Sequence, residues 1–205
     1  MDTSLVDKQE HYQMKNINSI KTPLELESIN ASTIKQGFNM ASELETGAML
    51  RFLCATKPAG RILELGTGTG LATSWIIQGM DADSTLISVD NDSAVLEIAR
   101  QHLGGNSRVE FVLSEGIEAI RSFEPASLDL IFADAWDGKY YHLEETIELL
   151  RKGGIYIVDD MLPRENWPEG HQEKADELID YLDERADIFI VKLSWASGLI
   201  IAAKT

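Results

Sequence analysis

Two stretches of this sequence carry residue types that do chemistry. The first, ILELGTGTGLATSW over residues 62–75, reads as a strand, a glycine turn and a helix. Gly66, Gly68 and Gly70 let the backbone turn tightly and approach a ligand closely, and the helix that follows aims free N–H groups and its positive dipole end at the same place. Such a turn also occurs with no ligand, so its spacing and neighbours have to discriminate. A dinucleotide fingerprint would put the third glycine at 71, which is leucine here, and no GxxxxGK[ST] phosphate loop is present. Glu64 is an acid where phosphates would be repelled, which favours a ligand with a positive end. Asp90 follows the loop by 20 residues. With Asn91 or Asp92 available to cap the next helix, Asp90 is left either to hold a ribose diol or to act as one more cap. Glu115, in LSEGIEA, is either an acceptor for an adenine amine or an ordinary first-turn helix acid.

The second stretch, DLIFADAWDGKYY over residues 129–141, ends an apolar run in Asp134, Trp136, Asp137, Lys139 and two tyrosines. Carboxylates offer hard oxygen ligands or a base, lysine a cation or a base, and a rim tryptophan a wall that stacks on a flat or cationic ligand or simply packs. A parallel ending, Asp159-Asp160, closes GGIYIVDD.

The elements that must position these residues alternate. Apolar runs of strand length cover residues 61–65, 85–90, 108–113, 128–134 and 154–159, and their continuous Ile, Leu, Val and Phe content marks strands covered on both faces. Between them, residues 92–103 and 143–150 repeat apolar positions every three or four residues, as crossover helices do, with Gly153 at a helix C-cap position. A helix over 173–185 precedes IFIVKL and LIIAAK, joined through WASG as a hairpin, so the sheet should finish with an antiparallel strand. The pattern is α/β, a doubly wound, mostly parallel sheet of seven strands with an antiparallel C-terminal hairpin. Thr22-Pro23-Leu24-Glu25 and Ser42-Glu43-Leu44-Glu45 read as capping boxes opening two helices before the first strand, behind a polar segment over residues 1–22.

Composition narrows the partners. The 205 residues are 44% hydrophobic, enough for one sizeable core, and a single domain is expected over 23–205. The net charge of −16 disfavours nucleic acid and anionic lipid. No apolar stretch is long enough to span a membrane, and the single cysteine, Cys54, fits a reducing cytoplasm.

ELGTGTG with Asp90 resembles the S-adenosylmethionine site of class I methyltransferases, which are Rossmann-like. FNMASELETGAML, FADAWDGKYY, GGIYIVDD and the terminal hairpin resemble, more narrowly, the small O-methyltransferases of the catechol and caffeoyl-coenzyme A type. The likeness covers the chain from about Phe38 onward. It implies that Gly66, Gly68 and Gly70 line the methionine part of the cofactor with Glu64 towards its ammonium. It also implies that Asp90, with Asn91 beside it, holds the ribose and that Glu115 and Gly116 border the adenine. Ser42 matches a hydroxyl residue that touches the cofactor, Met40 a residue at the mouth of the site, and Trp136 a wall over the sulfonium.

The strand order of that family makes the strands ending at Asp134 and at Asp159-Asp160 neighbours, so the resemblance implies three converging carboxylates. Such a set suits Mg, Mn or Ca, or else serves cofactor and solvent with no ion, as in metal-free relatives. The family places its lysine base immediately after the tryptophan, but here Asp137 stands there and Lys139 follows two residues later. Lys139 either loops back into the site or stays solvated, and Asp137 is a weak base unless burial raises it. Trp167 and Trp195 are candidates for the substrate mouth. The resulting expectation is an S-adenosylmethionine-dependent methyltransferase acting on a small-molecule hydroxyl, with a homodimer possible. The rival readings are an NAD-dependent oxidoreductase and a noncatalytic S-adenosylmethionine-binding protein.

Overall fold

The computed structural model describes residues 20–163, 167 and 169–205. Residues 1–19 of the polar leading segment, and residues 164–166 and 168 of the loop that carries Trp167, lie outside that description. Two helices, α1 (Leu26–Gln36) and α2 (Leu44–Ala55), precede an alternation of β1 (Arg61–Leu65), α3 (Leu71–Gly79), β2 (Thr85–Asp90), α4 (Ser93–Leu103), β3 (Val109–Leu113), α5 (Gly116–Arg121), β4 (Leu128–Ala133), α6 (Leu143–Glu148) and β5 (Leu150–Val158). The chain then forms α7 (His171–Glu184), β6 (Ile188–Leu193) and β7 (Leu199–Lys204). The sheet order is β3-β2-β1-β4-β5-β7-β6, parallel from β3 to β5, with β7 running antiparallel between β5 and β6. The reversal of order on either side of β1 puts a crevice at the C-terminal ends of β1 and β4, where open α/β sheets bind ligands.

Successive strand residues face opposite sides of the sheet, and the core divides accordingly. Leu63, Leu65, Ile131, Ala133, Tyr156 and Val158 face one cluster with Ile120 of α5, Ile147 of α6 and Leu178 of α7. Ile62, Leu130, Phe132 and Ile157 face the other, with Leu50 and Leu53 of α2 and Ile76 of α3. All six residues of β4 are buried, as a strand in mid-sheet requires. Among the described residues no helix is long and apolar enough to cross a membrane.

Three local expectations are corrected. Neither capping box forms: the N-cap residues of α1 and α2 are Glu25 and Glu43, neither with a side-chain cap, and Ser42 instead donates to Asp134 at 3.2 Å. Gly153 is not a helix C-cap. The helix ends at Glu148 because Leu149 and Leu150 are drawn into the core, and β5 starts at Leu150. Gly153, at φ +77°, then lies inside β5 beside a slip in its register with β4.

Candidate active site

The glycine turn after β1 is built almost entirely from backbone. Gly66, Gly68 and Gly70 all have left-handed φ, and the N–H groups of Gly66 and Thr67 both donate to the Val89 carbonyl, at 2.9 and 3.1 Å. A side chain at Gly66 would stand 2.8 Å from the backbone carbonyl oxygen of Asp134, so the loop sits directly against the end of β4. Beneath it, Glu64 is fully buried and its Oε2 accepts from Thr73 (2.7 Å) and Ser88 (2.5 Å), while Oε1 has no hydrogen-bond partner. Burial, with a smaller push from Asp90, raises its carboxyl to about 7 against the pull of those two hydroxyls. The side chain lies under the loop and is not among the residues lining the cavity. Thr73 in the first turn of α3 and Ser88 on β2 hold it inward.

At the end of β2, Asp92 caps α4 through the Ala94 N–H (2.8 Å), as one alternative read from the sequence had it. Asp90 takes the Gly68 N–H on Oδ2 (2.7 Å) and the Asp92 N–H on Oδ1 (2.9 Å), so its two oxygens are already aimed by the loops on either side. Asn91 donates to Glu115 (3.0 Å), and Asp90, Asn91, Glu115 and Gly116 share one cavity wall with the glycine loop.

That cavity, about 820 Å³, continues past the end of β4. There Asp134 accepts from Ser42 (3.2 Å), and its carboxyl is held well above the usual range by burial, then by Asp159, with Lys139 opposing and Asp160 adding to the rise. The loop after it folds back on itself. The N–H groups of Tyr140 and Tyr141 both donate to the Trp136 carbonyl, at 2.9 and 3.0 Å, and Gly138, at φ +83°, has no room for a side chain against Leu65. Tyr156 donates to the Gly138 carbonyl at 2.6 Å. The result is that Lys139 is 4% exposed, with Nζ donating to the Asp159 carbonyl at 2.7 Å. Of the two placements open in the sequence, the looped-back one is realised. Asp137 accepts on Oδ2 from the Ile117 N–H at the start of α5 (3.0 Å) and lines the cavity as well.

The three carboxylates do not converge as expected. Asp159 accepts from Ser197 and from the Asp160 N–H and lies off the cavity wall, whereas Asp160, turned by a left-handed φ of +55°, lines it with Asp134. Among the described residues no group of three His, Cys, Asp or Glu is arranged to hold a metal, and the charge of Lys139 already acts on Asp134.

Opposite the glycine loop the wall is aromatic. Trp167 stacks on His171 with ring centres 4.2 Å apart, Tyr140 meets His171 edge-on, and its hydroxyl pairs with His171 Nε2 at 2.8 Å. Trp136, 45% exposed, packs 5.9 Å from both Tyr140 and His171. Burial, reinforced by Lys139 and Lys174 and opposed by Asp160, lowers the His171 pKa. Sequence reasoning missed His171 and Phe38. The signal for His171 was its place in the first turn of the helix after β5, on the same rim as the acidic strand ends. Met40 and Trp167 do line the cavity, and Trp195 does not.

The family model for "O-methyltransferase" matches residues 16–204. A Mycobacterium tuberculosis catechol O-methyltransferase is 27% identical over 127 residues, 60% of this chain and 58% of the relative. A second M. tuberculosis protein, named as an O-methyltransferase, is 33% identical over 118 residues, 55% of this chain and 52% of the relative. The chain thus spans about half the length of the curated relatives it matches. Among solved structures, the O-methyltransferase TomG of Streptomyces achromogenes, in complex with SAM, superposes with a TM-score of 0.80 at 19% identity, covering 91% of this chain and 92% of that one. The family match takes in the glycine loop, the acidic rim, the aromatic wall and the terminal hairpin together, and by it the chain belongs to the O-methyltransferase family.

Proposed function

We propose that the protein transfers a methyl group from S-adenosylmethionine to a hydroxyl of a flat small molecule. The observation that carries this reading is a single cavity with a backbone-built glycine cradle at one end, an aromatic wall at the other and an acidic rim between them. The residues present fit the cofactor: Gly66 and Gly68 line the cavity beside the first turn of α3, and Asp90 and Glu115 present carboxylates along its wall. Bound there, the cofactor supplies a methyl group already activated on a sulfonium, so the protein has to align the acceptor oxygen and remove its proton.

The aromatic wall of Trp136, Tyr140, Trp167 and His171 would sandwich a flat acceptor and keep water from the reacting oxygen. Asp134 is the base in this reading. It stands where the two halves meet, and burial together with Asp159 raises its carboxyl above the ordinary carboxylate range. Asp137 is occupied at α5 and has no place in the step. The net charge of −16 and the apolar wall both favour a small neutral acceptor over nucleic acid.

The test is calorimetry with S-adenosylmethionine and S-adenosylhomocysteine, followed by labelled-methyl transfer to a panel of phenols and vicinal diols. Asp134→Asn should retain cofactor binding and lose about 100-fold or more in turnover. Absence of binding by either cofactor form would sink the reading.

A further inference from the structure

We propose that Lys139 is the resident cation of the rim, standing where a divalent ion would otherwise neutralise Asp134 and Asp160, and that the enzyme works without a metal. The placement rests on geometry that several elements enforce. The Gly138 turn, closed by the 2.7 Å bond from the Gly138 N–H to the Tyr141 carbonyl and anchored by Tyr156, returns the chain to the ends of β4 and β5. The Lys139 ammonium is then fixed by the Asp159 carbonyl at 2.7 Å and lies 5.0 Å from the Tyr140 ring centre.

A buried ammonium is costly unless anionic or carbonyl groups surround it, and this one has both, since its charge acts directly on Asp134. A divalent ion set among the same groups would meet that positive charge at close range. The two residues between Trp136 and Lys139 make this possible. Asp137 pins the loop to α5 and Gly138 supplies the turn, so Lys139 enters the rim from the β5 side.

The inference rests on the methyltransferase reading only for its consequence in turnover, so ion binding is measured without an acceptor. Metal-stripped wild-type protein, Lys139→Ala and Lys139→Arg are titrated with MnCl₂ by calorimetry, each with S-adenosylhomocysteine binding recorded separately. Wild type and Lys139→Arg should show no saturable binding up to about 1 mM Mn²⁺, and EDTA should leave the wild-type melting temperature unchanged. Lys139→Ala, with two carboxylates left facing the cavity, should bind Mn²⁺ at least about tenfold more tightly than wild type. Where turnover is measurable, EDTA should change wild-type kcat/KM by less than about twofold. Micromolar Mn²⁺ binding by the wild type overturns the proposal, as does no gain of Mn²⁺ binding in a folded Lys139→Ala. Should that variant fail to fold, the wild-type titration alone decides. A protein that binds neither Mn²⁺ nor S-adenosylhomocysteine refutes the methyltransferase reading while leaving the lysine assignment in place.

Discussion

The two halves of the cavity are made of different material. Around the glycine loop the wall is largely backbone: the left-handed Gly66 and Gly68, paired N–H groups on one carbonyl, and an aspartate whose oxygens are already aimed by main-chain donors. Opposite it the wall is side chain, drawn from the loop after β4 and from the loop and first helical turn after β5. A backbone wall can change only if the chain path changes, so it suits the unvarying part of a reaction. A side-chain wall can be rebuilt one residue at a time without refolding anything, so it suits the part that differs between substrates. Lys139 and Asp134 sit on the boundary between them.

The comparison is broken most severely at Gly66, where the halves touch. Alanine there would need a φ of +99° and would press on the Asp134 carbonyl at 2.8 Å. Strain of about 1–3 kcal/mol plus the clash should weaken S-adenosylhomocysteine binding by about 100-fold or more in calorimetry. Near-normal binding would mean that the loop is not the cofactor cradle. Asp90→Asn comes next. It keeps an oxygen for the Gly68 N–H but loses the charge offered to a ribose diol, a loss of about 1.5–3 kcal/mol or about 10- to 100-fold in affinity by the same measurement. A change under about twofold would move the ribose elsewhere.

The same contrast explains how much could be read in the sequence. The five parallel strands were visible because a strand buried on both faces reads as an unbroken apolar run, as LDLIFA does over residues 128–133. The glycine loop was visible because left-handed backbone demands glycine at fixed positions, and Asp90 because it closes the strand next to that loop. Gly153 misled, since a left-handed glycine serves a strand irregularity as readily as a helix end. At the rim, the residue types of Asp134, Asp159 and Asp160 were plain, but side-chain direction was not: Ser197, 38 residues away in sequence, decides where Asp159 points. Lys139 was ambiguous for the same reason, because its burial depends on Leu65, Tyr156 and the turn between them. The Tyr140–His171 pair joins residues 31 apart with no periodicity to announce it.

On the aromatic side the expected effects are smaller and fall on a different quantity. Trp136 is partly exposed and packs edge-on to Tyr140 and His171, so Trp136→Ala removes a wall without disturbing the glycine loop. Aromatic contacts worth about 0.5–1.5 kcal/mol each should raise the KM for a flat acceptor roughly tenfold. The affinity for S-adenosylhomocysteine should stay within about twofold, because Trp136 contributes none of the cradle's backbone. Equal losses in both would show that Trp136 belongs to the cofactor half and that the division between the halves is drawn in the wrong place.

The smallest effect is expected at Asp137, and it is the one that separates position from role. Asp137 stands where the sequence likeness leads one to expect a lysine base, yet its carboxylate accepts from the Ile117 N–H and lies against Gly116. Losing that bond leaves an unpaired donor at the start of α5, a cost comparable to a lost helix cap, about 1 kcal/mol. Asp137→Ala should therefore lower the melting temperature by a few degrees, about what 1 kcal/mol does in a chain of this size, and leave kcat within about threefold. A fall of more than about 100-fold in kcat with unchanged stability would make Asp137 the base and would end the assignment of that role to Asp134. The expected outcome instead leaves Asp137 as a strut. By tying the loop to α5 it lets the chain run two residues further before Lys139 turns into the rim, so an acid at the base's expected position is what allows a cation to reach the site.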